Sequence, residues 1–99
     1  MVSDIGEAAG NAVVGEIRSL GGEAIFIPCN IAEQTSVGQL VRTAVETFGR
    51  LDCAVNSAGI AGVLSLPTHA YPEADWHTII SVNLTGTWYC VKAEIAQML

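Results

Sequence analysis

One local pattern recurs along the chain: a stretch with helical apolar spacing, a glycine that ends it, and a short apolar run behind the glycine. In residues 7–20, Ala9, Val13, Ile17 and Leu20 fall at i, i+4, i+8 and i+11, which is one face of a helix. Gly21 and Gly22 stop that helix, as glycines at a helix C-terminus do. The run Ala24-Ile25-Phe26-Ile27 follows and ends at Pro28, whose missing N–H suits a sheet edge better than a sheet centre. The second helix is the clearest element. Val37, Leu40, Val41, Ala44, Val45 and Phe48 share a face, and Gly49 closes it. A second apolar strand, Leu51 to Val55, then runs into Asn56-Ser57-Ala58-Gly59. Residues 60–72 hold Gly62, Pro67 and Pro72 and read as a loop. From Glu73 the pattern is helical to the end, in two segments that meet near Ser81. Short apolar runs alternating with helices through short links predict a parallel α/β sheet in one domain, without internal repeats.

Composition narrows the partners. Apolar residues make up 51% of the 99 and charged residues 14%, which excludes a disordered chain. Four Lys and Arg against ten Asp and Glu give a net charge of −6, which argues against nucleic acid or an anionic membrane, since both need clustered cations. No apolar run reaches the ~20 residues that span a bilayer. The residues after Met1 show neither a basic segment nor an apolar one, so no secretory leader is read there. Cys29, Cys53 and Cys90 are odd in number and far apart, and are expected to be buried free thiols in a reducing, cytoplasmic setting. His69 and His77 lack ligand partners at useful spacing, so no metal site is expected.

Several polar residues sit where strands or helices end. Asp4 follows a small apolar stub and precedes a helix. In dinucleotide-binding folds an acidic residue after the second strand accepts hydrogen bonds from the adenosine ribose, and a carboxylate can accept from two adjacent hydroxyls. Taken alone, Asp4 reads first as a helix N-cap. Asn30 follows the first apolar run; its amide could face an adenine ring, with Ile31 packed on the ring, or could simply turn the chain into the next helix. Asn56, Ala58 and Gly59 lie where the second run would leave the sheet at its carboxyl end, the place where open α/β sheets bind ligands. Small residues there let a ligand approach the backbone. Asn83 falls between Ile79 and Ile80 on a helical wheel, on one stripe with Trp76, Thr87 and Ile95. A polar amide on a buried stripe must find partners or cost about 1–3 kcal/mol, and structural and functional reasons for it weigh equally. Tyr89 and Lys92, three apart in mid-helix, read as a partly exposed aromatic and a solvated ammonium rather than as a catalytic pair.

Together these residues resemble the short-chain dehydrogenase/reductase family. Gly49-Arg50-Leu51-Asp52 leading into Val55-Asn56-Ser57-Ala58-Gly59 is similar to its strand-four signature, usually Asn-Asn-Ala-Gly, with Ser57 at the second Asn. Trp76, followed by Val82-Asn83-Leu84-Thr85-Gly86, resembles the next helix of the family, and Cys29-Asn30-Ile31 resembles its Asp-Val element with Asn30 in place of the acid. The resemblance covers essentially all 99 residues. It implies a Rossmann-like doubly wound parallel sheet, incomplete here: residues 24–28 as strand three, 51–56 as strand four, and Met1–Ser3 as a stub of strand two. Residues 1–99 would be a partial NAD(P)-binding domain.

The resemblance also implies roles. Asp4 would hold the adenosine ribose and disfavour the extra phosphate of NADP. Two like charges ~4 Å apart repel by about 1 kcal/mol in water and about 4 at intermediate dielectric. Asn30 and Ile31 would contact adenine. Asn56, Ala58 and Gly59 would line the path towards the nicotinamide. Asn83 would be the asparagine of the catalytic tetrad, its backbone carbonyl holding a water. The implied chemistry is hydride transfer between an alcohol or carbonyl carbon and NAD. A tyrosine would serve as acid/base, its pKa lowered by a lysine. The implied partners are a small alcohol or ketone and, for the complete enzyme, further copies of itself. The family's glycine-rich turn, its serine and its Tyr-x-x-x-Lys do not occur in this sequence, so the 99 residues alone are expected to be inactive and poorly stable. A methyltransferase is disfavoured, because its fourth strand typically ends in Asn/Asp-Pro-Pro. A non-catalytic nucleotide-binding or interaction module stays open.

Overall fold

The computed structural model describes residues 1–99. Strand β1 (Val2–Asp4) pairs in parallel with β2 (Phe26–Pro28), in the register Val2 to Phe26, Ser3 to Ile27 and Asp4 to Pro28. The ladder extends one bond each way. The Val2 N–H donates to the Ile25 carbonyl (2.9 Å) and the Cys29 N–H to the Asp4 carbonyl (3.1 Å). Helix α1 (Glu7–Ser19) is the crossover between the two strands. Parallel strands need such a connection, because a tight turn would reverse the chain.

Helix α1 does not bury the face that its apolar spacing predicts. Val13 is 44% exposed and Leu20 88%, whereas Gly10 and Val14 are buried. The Phe26 ring decides this. A β-carbon on Gly10 would lie 2.0 Å from it. The ring therefore sits on bare helix backbone, and a glycine carries no weight in an apolar pattern. Helix α2 (Gln34–Phe48) buries the expected side: Val37 is 1% exposed and Ala44 7%. Gly49, at φ +90°, ends it with its N–H on the Val45 carbonyl (2.8 Å).

Residues 51–56 do not form the expected strand. A strand exists only where a neighbour completes its ladder. In the order 3-2-1-4 the neighbour of strand four is strand one, and no residue of the chain occupies that place. Val55 is 90% exposed as a result, and Cys53 is exposed, contrary to the expectation of three buried thiols. Cys29 and Cys90 are buried, and all three are free.

Beyond the loop, helix α3 (Glu73–Ile79) passes into a π-helical segment, Ile80–Gly86, and then into α4 (Thr87–Met98). Ser81 lies within that junction. The wide π turn shifts every later residue off a 3.6-residue wheel. The stripe predicted to be buried is therefore broken: Trp76 is 56% exposed, Ile95 51%, and Asn83 is exposed as well. Helix α4 instead turns Cys90 inward, where it joins Cys29 and Val37 in the core, with Ile31, Leu40, Tyr89 and Ala93 packed around them. Lys92 lies over the Trp88 ring, 4.9 Å from its centre. None of the helices is long and apolar enough to cross a membrane. The architecture is an incomplete Rossmann-like α/β fold. Its radius of gyration is 15.6 Å, against ~12.6 Å for a compact chain of this length.

Candidate functional site

One cleft of about 800 Å³ separates β1 from residues 51–59. Its rim at the carboxyl end of β1 and β2 carries Asp4, Asn30 and Ile31; its far wall carries Asn56, Ala58 and Gly59. Three separate stretches of sequence thus converge on one space. Asn83 is not part of this wall. It reaches the cleft through Ile60, which is.

Asp4 accepts the Gly6 N–H with Oδ1 (2.8 Å). The N-cap position of α1 is Gly6, so Asp4 braces the turn before the helix rather than capping it. It is exposed, and one carboxylate oxygen serves the turn while the other has no protein partner. Asn30 behaves similarly. Its Oδ1 accepts the Ala32 N–H (3.1 Å) and its Nδ2 lies 3.4 Å from Glu33 Oε1. Glu33, not Asn30, is the N-cap of α2. Ile31 is half-buried against the core, and Gly86 of the π segment packs directly on it. A β-carbon at Gly86 would stand 2.8 Å from Ile31 Cγ1 and 3.0 Å from its carbonyl oxygen.

Residues 51–63 make no backbone–backbone hydrogen bond. Side chains hold them. The Asn83 amide clasps Ile60, with Oδ1 accepting its N–H and Nδ2 donating to its carbonyl, each at 2.8 Å. Asn56 Nδ2 donates to Glu94 Oε2 at 2.8 Å. The Tyr71 hydroxyl accepts the Val63 N–H at 3.2 Å. The Asn83 carbonyl, inside the π segment, accepts the Thr87 hydroxyl at 2.8 Å. An irregular turn of this kind often marks a functional position in a helix. Glu94 and Gly86 were not among the residues singled out from sequence. The signal for Glu94 was its place eleven residues after Asn83, three helical turns on; that for Gly86 was a glycine inside a helical run.

Cys90 also lines the cleft, and its thiol pKa is pushed up to about 11 by burial, then by the charges of Glu94 and Cys29. A thiol so placed is protonated and inert at neutral pH.

The sequence model of the enoyl-(acyl carrier protein) reductase family matches residues 1–99. The chain belongs to the short-chain dehydrogenase/reductase family. A 3-oxoacyl-[acyl-carrier-protein] reductase of Synechocystis sp. is 42% identical over 91 residues, covering 92% of this chain and 36% of that protein. Glucose 1-dehydrogenase 2 of Bacillus subtilis is 36% identical over 83 residues, covering 84% and 32%. Among solved structures, an NAD+-bound xylitol dehydrogenase superposes with a TM-score of 0.93 at 29% identity, over 97% of this chain and 36% of that one. A 3-oxoacyl-[acyl-carrier protein] reductase from Brucella melitensis in complex with NAD gives 0.88 at 31% identity, covering 97% and 37%. The chain therefore spans about a third of the relatives that it matches, and its elements hold the arrangement found in those longer proteins.

Proposed function

We propose that residues 1–99 are the cofactor-facing part of an NAD(P)-binding domain, in an oxidoreductase that moves a hydride between an alcohol or carbonyl carbon and nicotinamide. One observation carries this reading: Asp4, Asn30, Ile31, Asn56, Ala58 and Gly59 meet on one cleft from three separate stretches. The donor set suits a dinucleotide. A free carboxylate oxygen at Asp4 matches ribose hydroxyls, the Asn30 amide with the Ile31 side chain matches a flat heterocycle, and small residues at 58–59 admit a bulky group close to the backbone. NAD supplies the hydride acceptor when bound. The residues of this chain bind and orient it, and the Asp4 charge favours NAD over NADP. Asn83 serves as a positioning residue, because it holds Ile60 and with it the end of the cleft wall.

The substrate class is a small alcohol or ketone. Self-association of the complete protein is supported by Trp88, Val91, Ile95 and Met98. These are exposed along one face of α4 at the alternating three- and four-residue spacing of a helix–helix seam. Assay of the protein from the complete reading frame, with NAD and a panel of simple alcohols, tests the reading. Substrate-dependent formation of NADH is expected. A protein that neither binds nor reduces NAD or NADP would overturn it.

A further inference from the structure

We propose that Glu94 is a positioning residue for the cofactor wall, fixing the polarity of the Asn56 amide; this rests on the functional reading above. Asn83 and Glu94 lie eleven residues apart on one continuous helical run, roughly 16 Å at helical rise. Their partners, Ile60 and Asn56, lie four residues apart, about 13 Å if extended. The wall thus runs antiparallel to the helix and hangs from it at two points, with no sheet bond to hold it between them. The upper clamp grips backbone. The lower clamp grips a side chain that itself faces the cleft.

A carboxylate can only accept. Facing Glu94, Asn56 must present Nδ2 to it, which leaves Oδ1 as the free acceptor for whatever enters the cleft. The wall is thereby committed to a ligand that offers a donor there, a hydroxyl or an amide N–H. Without Glu94 the amide can rotate and offer either group. The half-buried carboxylate of Glu94 also gives the charge-assisted form of the bond, the stronger kind.

The test uses the protein of the complete reading frame and four variants. Glu94→Ala should raise KM for NAD about tenfold, the size expected for loss of one charge-assisted bond, with a much smaller change in kcat. Glu94→Gln keeps a carbonyl acceptor at the same reach and should restore most of the affinity. Asn56→Asp sets two carboxylates face to face and should bind NAD worst. Adding Glu94→Gln to Asn56→Asp exchanges donor and acceptor and should recover at least about fivefold. An unchanged KM in Glu94→Ala, or a double variant no better than Asn56→Asp, sinks the proposal. If the unmodified protein neither binds nor reduces NAD or NADP, the functional reading fails. The clamp is then decided by amide exchange at residues 56–59: about tenfold faster in Glu94→Ala sustains it, unchanged exchange rejects it.

Discussion

Asn83 and Ile60 exchange two hydrogen bonds of 2.8 Å each, side-chain amide to backbone, across twenty-three residues of sequence. The same residue offers its carbonyl to Thr87 inside the π segment. One side chain thereby ties the irregular stretch of helix to the cleft wall. Each bond contributes about 1 kcal/mol net. Asn83→Ala should accordingly speed amide exchange at Ile60 by about fivefold to thirtyfold. Asn83→Asp, which keeps the acceptor and loses the donor, should fall between. Equal exchange in all three proteins would show that the clasp does not form in solution.

Gly86→Ala separates helix propensity from packing. In an exposed helix interior this change stabilises by up to about 1 kcal/mol. Here the added carbon would stand 2.8 Å from Ile31 Cγ1 and 3.0 Å from its carbonyl oxygen, so Ile31 and the Asn30 turn must shift. Overpacking of this sort costs about 1–3 kcal/mol. Urea denaturation of the complete protein should show a net loss of stability, together with weaker NAD binding if Asn30 and Ile31 hold the adenine as proposed. A gain in stability would mean that the contact relaxes freely.

The cysteines should divide by burial. Cys53 is exposed and should react promptly with an aromatic disulfide reagent, while Cys29 and Cys90 should react only on unfolding. The Cys90 thiol also sets an alkaline window. Its ordinary pKa of 9.0 is raised to about 11 in the folded chain. Below pH 9 both states are protonated and its contribution is intact. Between 9 and 11 only the unfolded chain ionises, so stability falls, and beyond 11 the loss is complete. The stability difference between the unmodified protein and Cys90→Ala, followed by denaturation from pH 8 to 11, should shrink across that window. A constant difference would rule out the burial effect.

The chain of residues 1–99 by itself should be loosely held. Only eight of its residues are buried, its two strands are three residues each, and both the outer edge of β1 and residues 51–56 lack a neighbour. Open edges of this kind invite pairing between copies. Calorimetry should show a broad transition, and sedimentation a concentration-dependent species. A sharp transition in a monomer would contradict this.

How much the sequence disclosed depends on where each signal lies. Helix α2 was legible because its apolar stripe is its packing face. Helix α1 was displaced by one position, because a glycine beneath Phe26 leaves no apolar mark. Residues 51–55 have strand chemistry but no strand, since a ladder is a property of two segments and the second is not among these residues. Asp4, Asn30 and residues 56–59 could be named from their places at element ends, yet the cleft that joins them is tertiary. The π segment hid the true surroundings of Asn83, because no residue pattern announces a change of helical pitch.

The most direct test is calorimetric titration of NAD and NADP into the protein of the complete reading frame, with and without Asp4→Ala. NAD should bind more tightly than NADP by roughly fivefold to several hundredfold, the range set by one like-charge repulsion of about 1–4 kcal/mol. Asp4→Ala should close most of that gap. Equal affinities for the two cofactors, or a preference that survives loss of Asp4, would contradict the placement of the ribose at this carboxylate. No binding of either would contradict the cleft as a cofactor site.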